Sequence, residues 1–245
     1  MATSKADIIA RLQRDILPLQ GLKSQLKNNA VDSKMAPIKN AFPNNAFPIG
    51  AIHEFISQRA EDAAATGGFI SALVAALMNN KGISIWISSS RNIFPPALQS
   101  FGIEPSSVIF IDLKKEKEIA WVMEEALKHE GISAVIAEMQ DLSFTASRRL
   151  QLAVEKSRVT GFIHRRNPKS LTANTCVSRW KISSLPSVTE YGLPGVGFPA
   201  WNVELQKIRN GRPGVWQVEL VAGHFRLLGK SAAVVLHPQK KAGVA

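Results

Sequence analysis

The segment Phe47-Pro48-Ile49-Gly50-Ala51-Ile52-His53-Glu54-Phe55 and the apolar run from Ala63 to Met78 decide the fold. The first contains a short apolar strand, and the second has the length and composition of a buried helix. Small residues stand between them, so the pattern predicts a strand, a loop and a helix in succession. Short apolar strands then alternate with amphipathic helices as far as about residue 175. This alternation predicts parallel strands joined by right-handed crossovers, with helices on both faces of the sheet.

The apolar periodicity also predicts where the elements lie. The predicted parallel strands are Ile52 to Ile56, Ile83 to Ile87, Val108 to Ile111, Ala134 to Ala137 and Val159 to Ile163. The predicted helices are Ala63 to Met78, Phe94 to Phe101, Glu116 to Glu130 and Ser143 to Ser157. A β-meander of antiparallel strands is predicted to follow, with turns at Asn210-Gly211 and Gly223, and its strands are Val177 to Ile182, Trp201 to Ile208, Val215 to Val221 and His224 to Leu228.

The chain before this core has the pattern of an arm. Ser4 is a helix N-cap candidate, and apolar residues recur at helical spacing from Ile8 to Leu19. Residues 28–46 are rich in Asn, Pro and Ala, which is typical of a linker. We therefore expect an N-terminal helix and linker over 1–46, a core over 47–230 and a tail over 231–245.

The composition indicates a globular protein with an anionic partner. Of 245 residues, 45% are hydrophobic and 20% charged, and the single cysteine, Cys176, excludes an intrachain disulfide. We expect a cytoplasmic protein without a membrane partner, since no unbroken apolar stretch approaches the roughly 18 residues of a membrane helix.

The charged residues are unevenly distributed along the chain. Residues 50–140 carry 7 basic and 11 acidic side chains, whereas residues 141–245 carry 16 basic and 5 acidic. A basic half favours nucleic acid as a partner, and the alternative is an ordinary solvated surface.

The loop before the first long helix lacks the groups of an ATPase phosphate loop. Such a loop reads G-x-x-x-x-G-K-[ST], in which backbone N–H groups and the lysine hold phosphates and the hydroxyl holds magnesium. Aligned on Gly67, its first glycine position is Asp62, its lysine position Gly68 and its hydroxyl position Phe69. Thr66 is a candidate helix cap, and Gly67-Gly68 leaves room for an anion, so weak nucleotide binding stays open as an alternative.

Other catalytic chemistry is not indicated. Glu138 ends the fourth strand, where an ATPase has its magnesium-supporting aspartate, but without lysine and hydroxyl partners we interpret it as a structural or hydrogen-bonding group. The five histidines and Cys176 show no metal-ligand spacing. We therefore expect no metal, no cofactor and no enzymatic activity.

The order of elements resembles the RecA-like, P-loop NTPase-type core, and the chain resembles the ImuA family of RecA-like, SulA-like accessory proteins. The residues that carry the resemblance are Gly50 to Glu54, Ala65 to Phe69, Leu142 to Ala153, Ser178 to Ile182 and Trp201 to Trp216. Within them, Ser143-Phe144-Thr145-Ala146-Ser147-Arg148-Arg149 and Arg209-Asn210-Gly211-Arg212-Pro213-Gly214 are the more specific motifs.

The resemblance implies work in SOS-induced, error-prone translesion DNA repair. The implied partners are an ImuB-like Y-family polymerase homologue and an error-prone DnaE-type polymerase, and single-stranded DNA and RecA are further candidates. The implied role is non-catalytic bridging of these partners. The alternative is a SulA-like cell-division inhibitor that binds FtsZ without DNA.

Ten cations of the basic half are candidates for DNA or partner binding. In recombinases, loops beyond the carboxyl ends of the central strands contact single-stranded DNA, and residues 164–176 hold a comparable place by resemblance. A solvated loop or a polymerase-binding surface is the alternative for these residues. The candidates are Arg148, Arg149, Arg165, Arg166, Lys169, Arg179, Lys181, Lys207, Arg209 and Arg212.

Overall fold

The structure is a computed structural model that describes residues 29–79, 82–187 and 196–228. The predicted helix from Ser4 to Leu19 and the predicted tail over 231–245 lie outside the described residues.

One nine-stranded sheet organises this part of the chain, in the order β3-β2-β4-β5-β1-β6-β7-β8-β9. The strands from β3 to β6 in this order run parallel, and β6 to β9 pair antiparallel. The predicted RecA-like class, a mainly parallel sheet with a C-terminal antiparallel meander, is confirmed. The strands are β1 (Ile52–Ser57), β2 (Ile83–Ser88), β3 (Val108–Asp112), β4 (Ile132–Met139), β5 (Thr160–Arg166), β6 (Ser178–Leu185), β7 (Ala200–Ile208), β8 (Gly214–Val221) and β9 (His224–Leu227).

Helices cover both faces of the parallel part of the sheet. Within the described ranges, the α-helices are α1 (Asn29–Lys34), α2 (Ala60–Met78), α3 (Glu116–Leu127) and α4 (Phe144–Ser157). The same ranges contain 3-10 helices at Ala36–Ala41, Pro43–Asn45, Pro95–Phe101 and Pro105–Ser107. One apolar cluster joins α1 and α2 to the sheet, and a second joins α3 and α4 to the opposite face. The side chain of Ser143 caps α4 by accepting from the Ala146 N–H, as the sequence predicts.

Strand β6 belongs to both parts of the sheet. It pairs parallel to β1 and antiparallel to β7, whereas the sequence predicts only antiparallel partners for it. The predicted turns are confirmed, since Asn210 and Gly223 adopt positive φ angles of 56° and 80° between β7, β8 and β9.

Residues 29–46 are part of the core, so their predicted role as a linker is wrong. Met35 is buried in the α2 cluster, and Phe42 packs edge-on against Phe47 with ring centroids 5.4 Å apart. Lys34, at the end of α1, donates from Nζ to the carbonyl of Ala72 in α2 at 2.9 Å. The polar composition of the segment conceals an apolar face built from short helices.

Helix α2 is the central helix of the protein. By length and composition alone this helix could cross a membrane. However, 72% of its most apolar 18-residue stretch is buried inside the protein. Its Phe69 stacks on Phe225 with centroids 4.9 Å apart and meets Trp201 edge-on at 6.0 Å. The helix therefore joins the meander to the parallel sheet through aromatic contacts.

We predict that Phe69→Ala lowers the free energy of unfolding by about 3–5 kcal/mol, because it leaves a cavity beside four aromatic rings. Phe144→Ala is the matched control: its ring is 59% exposed, so a change within about 0.5 kcal/mol is expected. Urea unfolding of the two variants measures the difference. Equal losses would contradict the central packing role of Phe69.

Candidate functional site

The connection between β1 and α2 contains no phosphate loop. Strand β1 ends at Ser57 and helix α2 begins at Ala60, so only Gln58 and Arg59 join them. The predicted helix start at Ala63 is therefore wrong, and Asp62, Thr66, Gly67, Gly68 and Phe69 all lie within the helix rather than in a loop.

Thr66 does not cap the helix. Its hydroxyl donates to the Asp62 carbonyl one turn earlier at 2.7 Å, the usual bond of a threonine within a helix.

The N-terminus of α2 is occupied by a carboxylate of the helix itself. The Arg59 guanidinium donates to both oxygens of Asp62, at 3.0 and 3.1 Å. Hydrogen bonding from Arg59 holds the pKa of the buried Asp62 carboxyl below its usual range, against the opposing effect of burial. A helix N-terminus attracts negative charge, and here the Asp62 carboxylate provides it. A phosphate group at this place would be repelled by that carboxylate.

A cleft of about 380 Å³ lies beside this helix, at the carboxyl ends of β4 and β5. One wall is a stripe of small residues on α2, from Ala60 through Gly67 to Ser71. The opposite wall is apolar and comes from residues 93–101, with Ile93, Phe94 and Phe101 among its members. Its polar groups are Asn92, Ser71, Glu138, His164 and Arg166.

Glu138 is held by two donors at the polar end of the cleft. Trp86 Nε1 donates to Oε1 at 2.8 Å, and Arg166 donates to Oε2 at 3.3 Å. Burial raises the pKa of this carboxyl, and both donors oppose that rise. Glu138 is therefore a hydrogen-bonded anchor for β2 and β5, in agreement with the predicted hydrogen-bonding role.

His164 is joined to β1 and α2 through hydroxyl groups. Its Nε2 lies 2.7 Å from Ser57 Oγ, which in turn donates to Thr66 Oγ1 at 2.9 Å. Burial, with a smaller effect of Arg166, lowers the pKa of His164 to about 3, so the ring stays neutral at physiological pH. Burial likewise lowers the pKa of His53 to about 4, against the opposing effect of its bond to the Pro48 carbonyl.

The second polar centre is a buried carboxylate on the opposite face of the sheet. Glu54 is fully buried, and its oxygens accept from Arg165 at 2.9 Å, Arg179 at 2.6 Å and Asn174 at 2.8 Å. Arg165 is 1% exposed, so its predicted place in a DNA-binding loop is wrong. The Arg165 guanidinium instead forms an ion pair with Glu54 within the core.

The segment 167–177 runs back along the sheet instead of projecting from its edge. The Asn167 N–H donates to the carbonyl of Ser57, at the end of β1, and the Val177 N–H donates to that of Ile52, at its start. The segment therefore covers the length of β1. This path differs from the expectation for residues 164–176, which assumed a loop beyond the strand ends.

Four cations bind the backbone carbonyls of this segment. Arg165 donates to Ser170, Arg179 to Thr172, Lys207 to Asn174 and Arg209 to Thr175, at 2.7 to 3.1 Å. The carbonyls have no regular secondary structure to satisfy them, and the cations do so instead. We refer to residues 167–177 together with these four cations as the basic strap.

The remaining predicted cations do not converge on one surface. Arg149 of α4 forms an ion pair with Glu124 of α3 at 2.8 Å. The neighbouring Arg148 donates to Gln151 within α4 at 3.3 Å. Arg166 faces the cleft described above. Lys169 is an exposed residue of the basic strap itself, and Lys181 is exposed on β6, two positions after Arg179. Arg212 lies at the turn between β7 and β8, where its backbone N–H donates to the Ala41 carbonyl.

Sequence reasoning missed Ser57, Asn92 and Asn174, and it named Glu54 only as part of a strand. Glu54 did carry a signal, because a single carboxylate in an otherwise apolar buried strand requires a buried partner. Within the described parts of the chain, no group of three or more His, Cys, Asp or Glu residues could hold a metal ion.

Together, these features define a RecA-like α/β protein whose first strand and helix are joined too closely for a phosphate loop. No protein-family model matches the chain. Protein ImuA from two strains of Caulobacter vibrioides, NA1000 / CB15N and ATCC 19089 / CIP 103742 / CB 15, is 34% identical over 212 residues, which cover 80% of this chain and 87% of the relative. The chain belongs to the ImuA family.

Solved structures include a more distant neighbour. The crystal structure of SulA from Pseudomonas aeruginosa aligns with a TM-score of 0.41 and 14% identity, over 47% of this chain and 97% of that one.

We predict that Arg165→Met lowers the free energy of unfolding by about 3–5 kcal/mol, because it leaves the Glu54 carboxylate buried with one ion-pair partner fewer. Lys169→Met, at an exposed position four residues on, should change it by no more than about 0.5 kcal/mol. Chemical denaturation followed by circular dichroism measures both. A small loss in Arg165→Met would show that the ion pair is dispensable.

We predict that acidification from pH 7 to pH 5 destabilises the protein. The pKa of His53 and of His164 lies below the ordinary 6.5, so the unfolded chain binds protons that the folded chain excludes. Each histidine contributes a slope of at most about 1.4 kcal/mol per pH unit. The raised pKa of Glu138 acts oppositely, since its contribution is present at low pH and lost as pH rises.

Unfolding in urea at pH 7, 6 and 5 measures this dependence. His164→Gln keeps a donor for Ser57. It should lower the number of protons taken up on unfolding by about one, and so make the slope of the free energy of unfolding against pH shallower. A free energy of unfolding that stays constant or rises on acidification would refute the assignment of two neutral buried histidines.

Proposed function

We propose that this protein is a non-catalytic accessory factor of DNA-damage-induced mutagenesis that bridges polymerase partners and contacts single-stranded DNA. Membership of the ImuA family supports the role in mutagenesis. The observation that carries the non-catalytic part is the connection between β1 and α2, which consists of Gln58 and Arg59 alone.

Triphosphate hydrolysis needs groups that this connection cannot offer. A phosphate loop wraps several backbone N–H groups around the phosphates and adds a lysine and a magnesium-binding hydroxyl. Here the helix begins at once, and its first turn carries the Arg59–Asp62 ion pair. We expect no ATP turnover above background, with or without single-stranded DNA, in a coupled assay.

The basic strap supports contact with a polyanion. Four cations lie along one segment and face two carboxylates, because Glu54 pairs with Arg165 and Arg179 and Asp141 lies 3.5 Å from Arg165. Positive charge still exceeds negative charge here by two, and the other acceptors of these cations are backbone carbonyls. Burial lowers the pKa of Lys207, and the neighbouring Arg179 and Arg209 lower it further, which reflects crowding of like charge. Such a surplus attracts phosphate groups, and binding them releases the counterions of the nucleic acid.

The partners proposed for this chain are an ImuB-like Y-family polymerase homologue and an error-prone DnaE-type polymerase, in the cytoplasm. Helices α3 and α4 support a protein contact, because Trp121, Phe144 and Leu152 are each more than half exposed. Exposed large apolar side chains of this kind are typical of interaction surfaces.

We predict that single-stranded DNA binding weakens steeply with salt and depends on exposed lysines of the basic strap and of the neighbouring β6. The triple variant Lys169→Gln, Lys181→Gln, Lys207→Gln removes three charges, while glutamine at 207 keeps a donor for the Asn174 carbonyl. The slope of log K against log salt should fall in magnitude by about 2, since each phosphate contact on a single strand contributes about 0.7. Fluorescence anisotropy between 50 and 200 mM salt measures it.

A matched triple variant, Lys39→Gln, Lys117→Gln, Lys156→Gln, removes the same charge at exposed positions elsewhere and should leave the slope nearly unchanged. Equal slopes for the two triple variants would refute the basic strap as the DNA surface. Absence of DNA binding in the unaltered protein, together with arrested division on overexpression, would support the FtsZ-binding alternative.

A further inference from the structure

His164 lines the cleft beside α2, and one of its ring nitrogens is buried without a hydrogen-bond partner among the described residues. The direction of each bond follows from the chain of hydroxyl groups below it. Thr66 must donate to the Asp62 carbonyl, because a carbonyl can only accept. We assign the Ser57 proton to its 2.9 Å bond with Thr66 Oγ1, which is shorter than its 3.4 Å contact with the Asp62 carbonyl. With this assignment His164 Nε2 carries the proton and donates to Ser57.

This assignment makes Nδ1 of His164 the unprotonated nitrogen. Nδ1 is buried, and among the described residues it has no hydrogen-bond partner. The ring is 2% exposed, lines the cleft and stays neutral, so Nδ1 acts as an acceptor and not as a positive charge. A buried polar atom without a partner costs free energy that a ligand with an N–H or O–H donor would recover.

The rest of the cleft indicates what kind of ligand would carry that donor. Its volume of about 380 Å³ lies within the range of small-molecule sites, about 300–1,000 Å³. The walls are apolar: small residues of α2 on one side, and Ile93, Phe94, Leu98 and Phe101 on the other. An uncharged ring between these walls would bury its faces against apolar groups.

The polar end of the cleft supplies a donor beside the acceptor. Arg166 lines the cleft, its side chain is 33% exposed, and one of its N–H groups donates to Glu138. A guanidinium has five N–H groups, so others can serve a ligand. A ligand edge with a donor and an acceptor side by side would satisfy both His164 and Arg166. An indole ring has only a donor, whereas a nucleobase edge has both.

We propose that this cleft binds a nucleobase, either as a free nucleoside or as a base of a single strand, without holding phosphate groups. Phosphate would meet the Glu138 carboxylate within the cleft and the Arg59–Asp62 pair at the helix start. Base recognition here would be separate from the salt-dependent contacts of the basic strap. It would also need no magnesium.

Gly67 allows a direct test, because it lines the cleft and a Cβ added to it would have no atom within 4 Å. The Cβ of Gly67→Leu therefore has room, and the rest of the side chain should occupy cleft volume. Loss of a glycine within a helix also favours folding. Ala64→Leu, at an exposed position of the same wall, is a second blocking variant. Gly131→Leu is the matched control, since Gly131 also has open space around it but does not line the cleft.

Isothermal titration with adenosine, guanosine, cytidine and thymidine is the experiment. We expect saturable binding of at least one nucleoside, little dependence on salt, and an affinity lower by at least about tenfold in Gly67→Leu and Ala64→Leu, which corresponds to about 1.4 kcal/mol. Gly131→Leu should bind as the unaltered protein does. The ¹⁵N resonance of His164 Nδ1 should shift on binding, as expected for an acceptor that gains a donor.

Several results would overturn the proposal. They are absence of binding for all four nucleosides at millimolar concentration, equal binding in the blocking variants, or binding of N-acetyl-tryptophanamide in place of nucleosides, which would indicate an aromatic side chain of a protein partner. Magnesium-dependent binding of ATP much tighter than that of adenosine would overturn the exclusion of phosphate. An oligonucleotide that competes with the nucleoside would identify a base of a strand as the source, and one that does not would identify free nucleosides.

Discussion

The buried carboxylate of Glu54 is the interaction on which the basic side of the protein depends. It lies in the middle of β1 and is bound by Arg165 from β5, Arg179 from β6 and Asn174 from the returning segment. A carboxylate removed from water is tolerated only when such partners surround it. The same arginines then donate to the carbonyls of Ser170 and Thr172, so one charge fixes two strands and the chain that covers them.

This arrangement gives the two faces of the sheet different chemistry. On the α2 face, the groups near the strand ends are neutral or internally paired: His164 is uncharged, Glu138 is bound by Trp86, and Asp62 by Arg59. On the opposite face, Arg165 and Arg179 surround the Glu54 carboxylate, and Lys207 and Arg209 bind the segment that covers β1. The nucleic-acid contact proposed for the basic strap and the base proposed for the cleft would therefore lie on opposite faces of the sheet.

The parallel core could be predicted from sequence because its signals are local. Apolar runs such as Ile83 to Ile87 and Val108 to Ile111 match β2 and β3 within a residue or two, and the Ser143 cap marks the start of α4. The start of α2 was misplaced because the polar and small residues between β1 and the apolar run have the composition of a loop. In the structure Gly67 and Gly68 line the cleft, and only Gly68 has a packing reason, since a Cβ there would lie 3.1 Å from the Phe101 ring.

The failures on the basic side have a different origin. Whether Arg165 faces solvent or the core depends on Glu54, which is 111 positions away in the chain, and no local pattern carries that information. Residues 29–46 were misjudged for a similar reason, since Met35 and Phe42 find their partners on α2 and β6. Charge and composition predicted that a cationic surface exists. They did not predict which cations donate to the backbone carbonyls of the basic strap.

The short connection at Gln58-Arg59 also limits what evolution could do with this protein. A lysine or a threonine gained by point mutation would fall inside α2, where the helix already bonds its own backbone. A nucleotide-gripping loop would require several inserted residues and a later helix start, with the neighbouring packing of Phe69 rearranged to match. Single-base changes can therefore adjust the surfaces of this scaffold, whereas a nucleotide-binding loop would need an insertion.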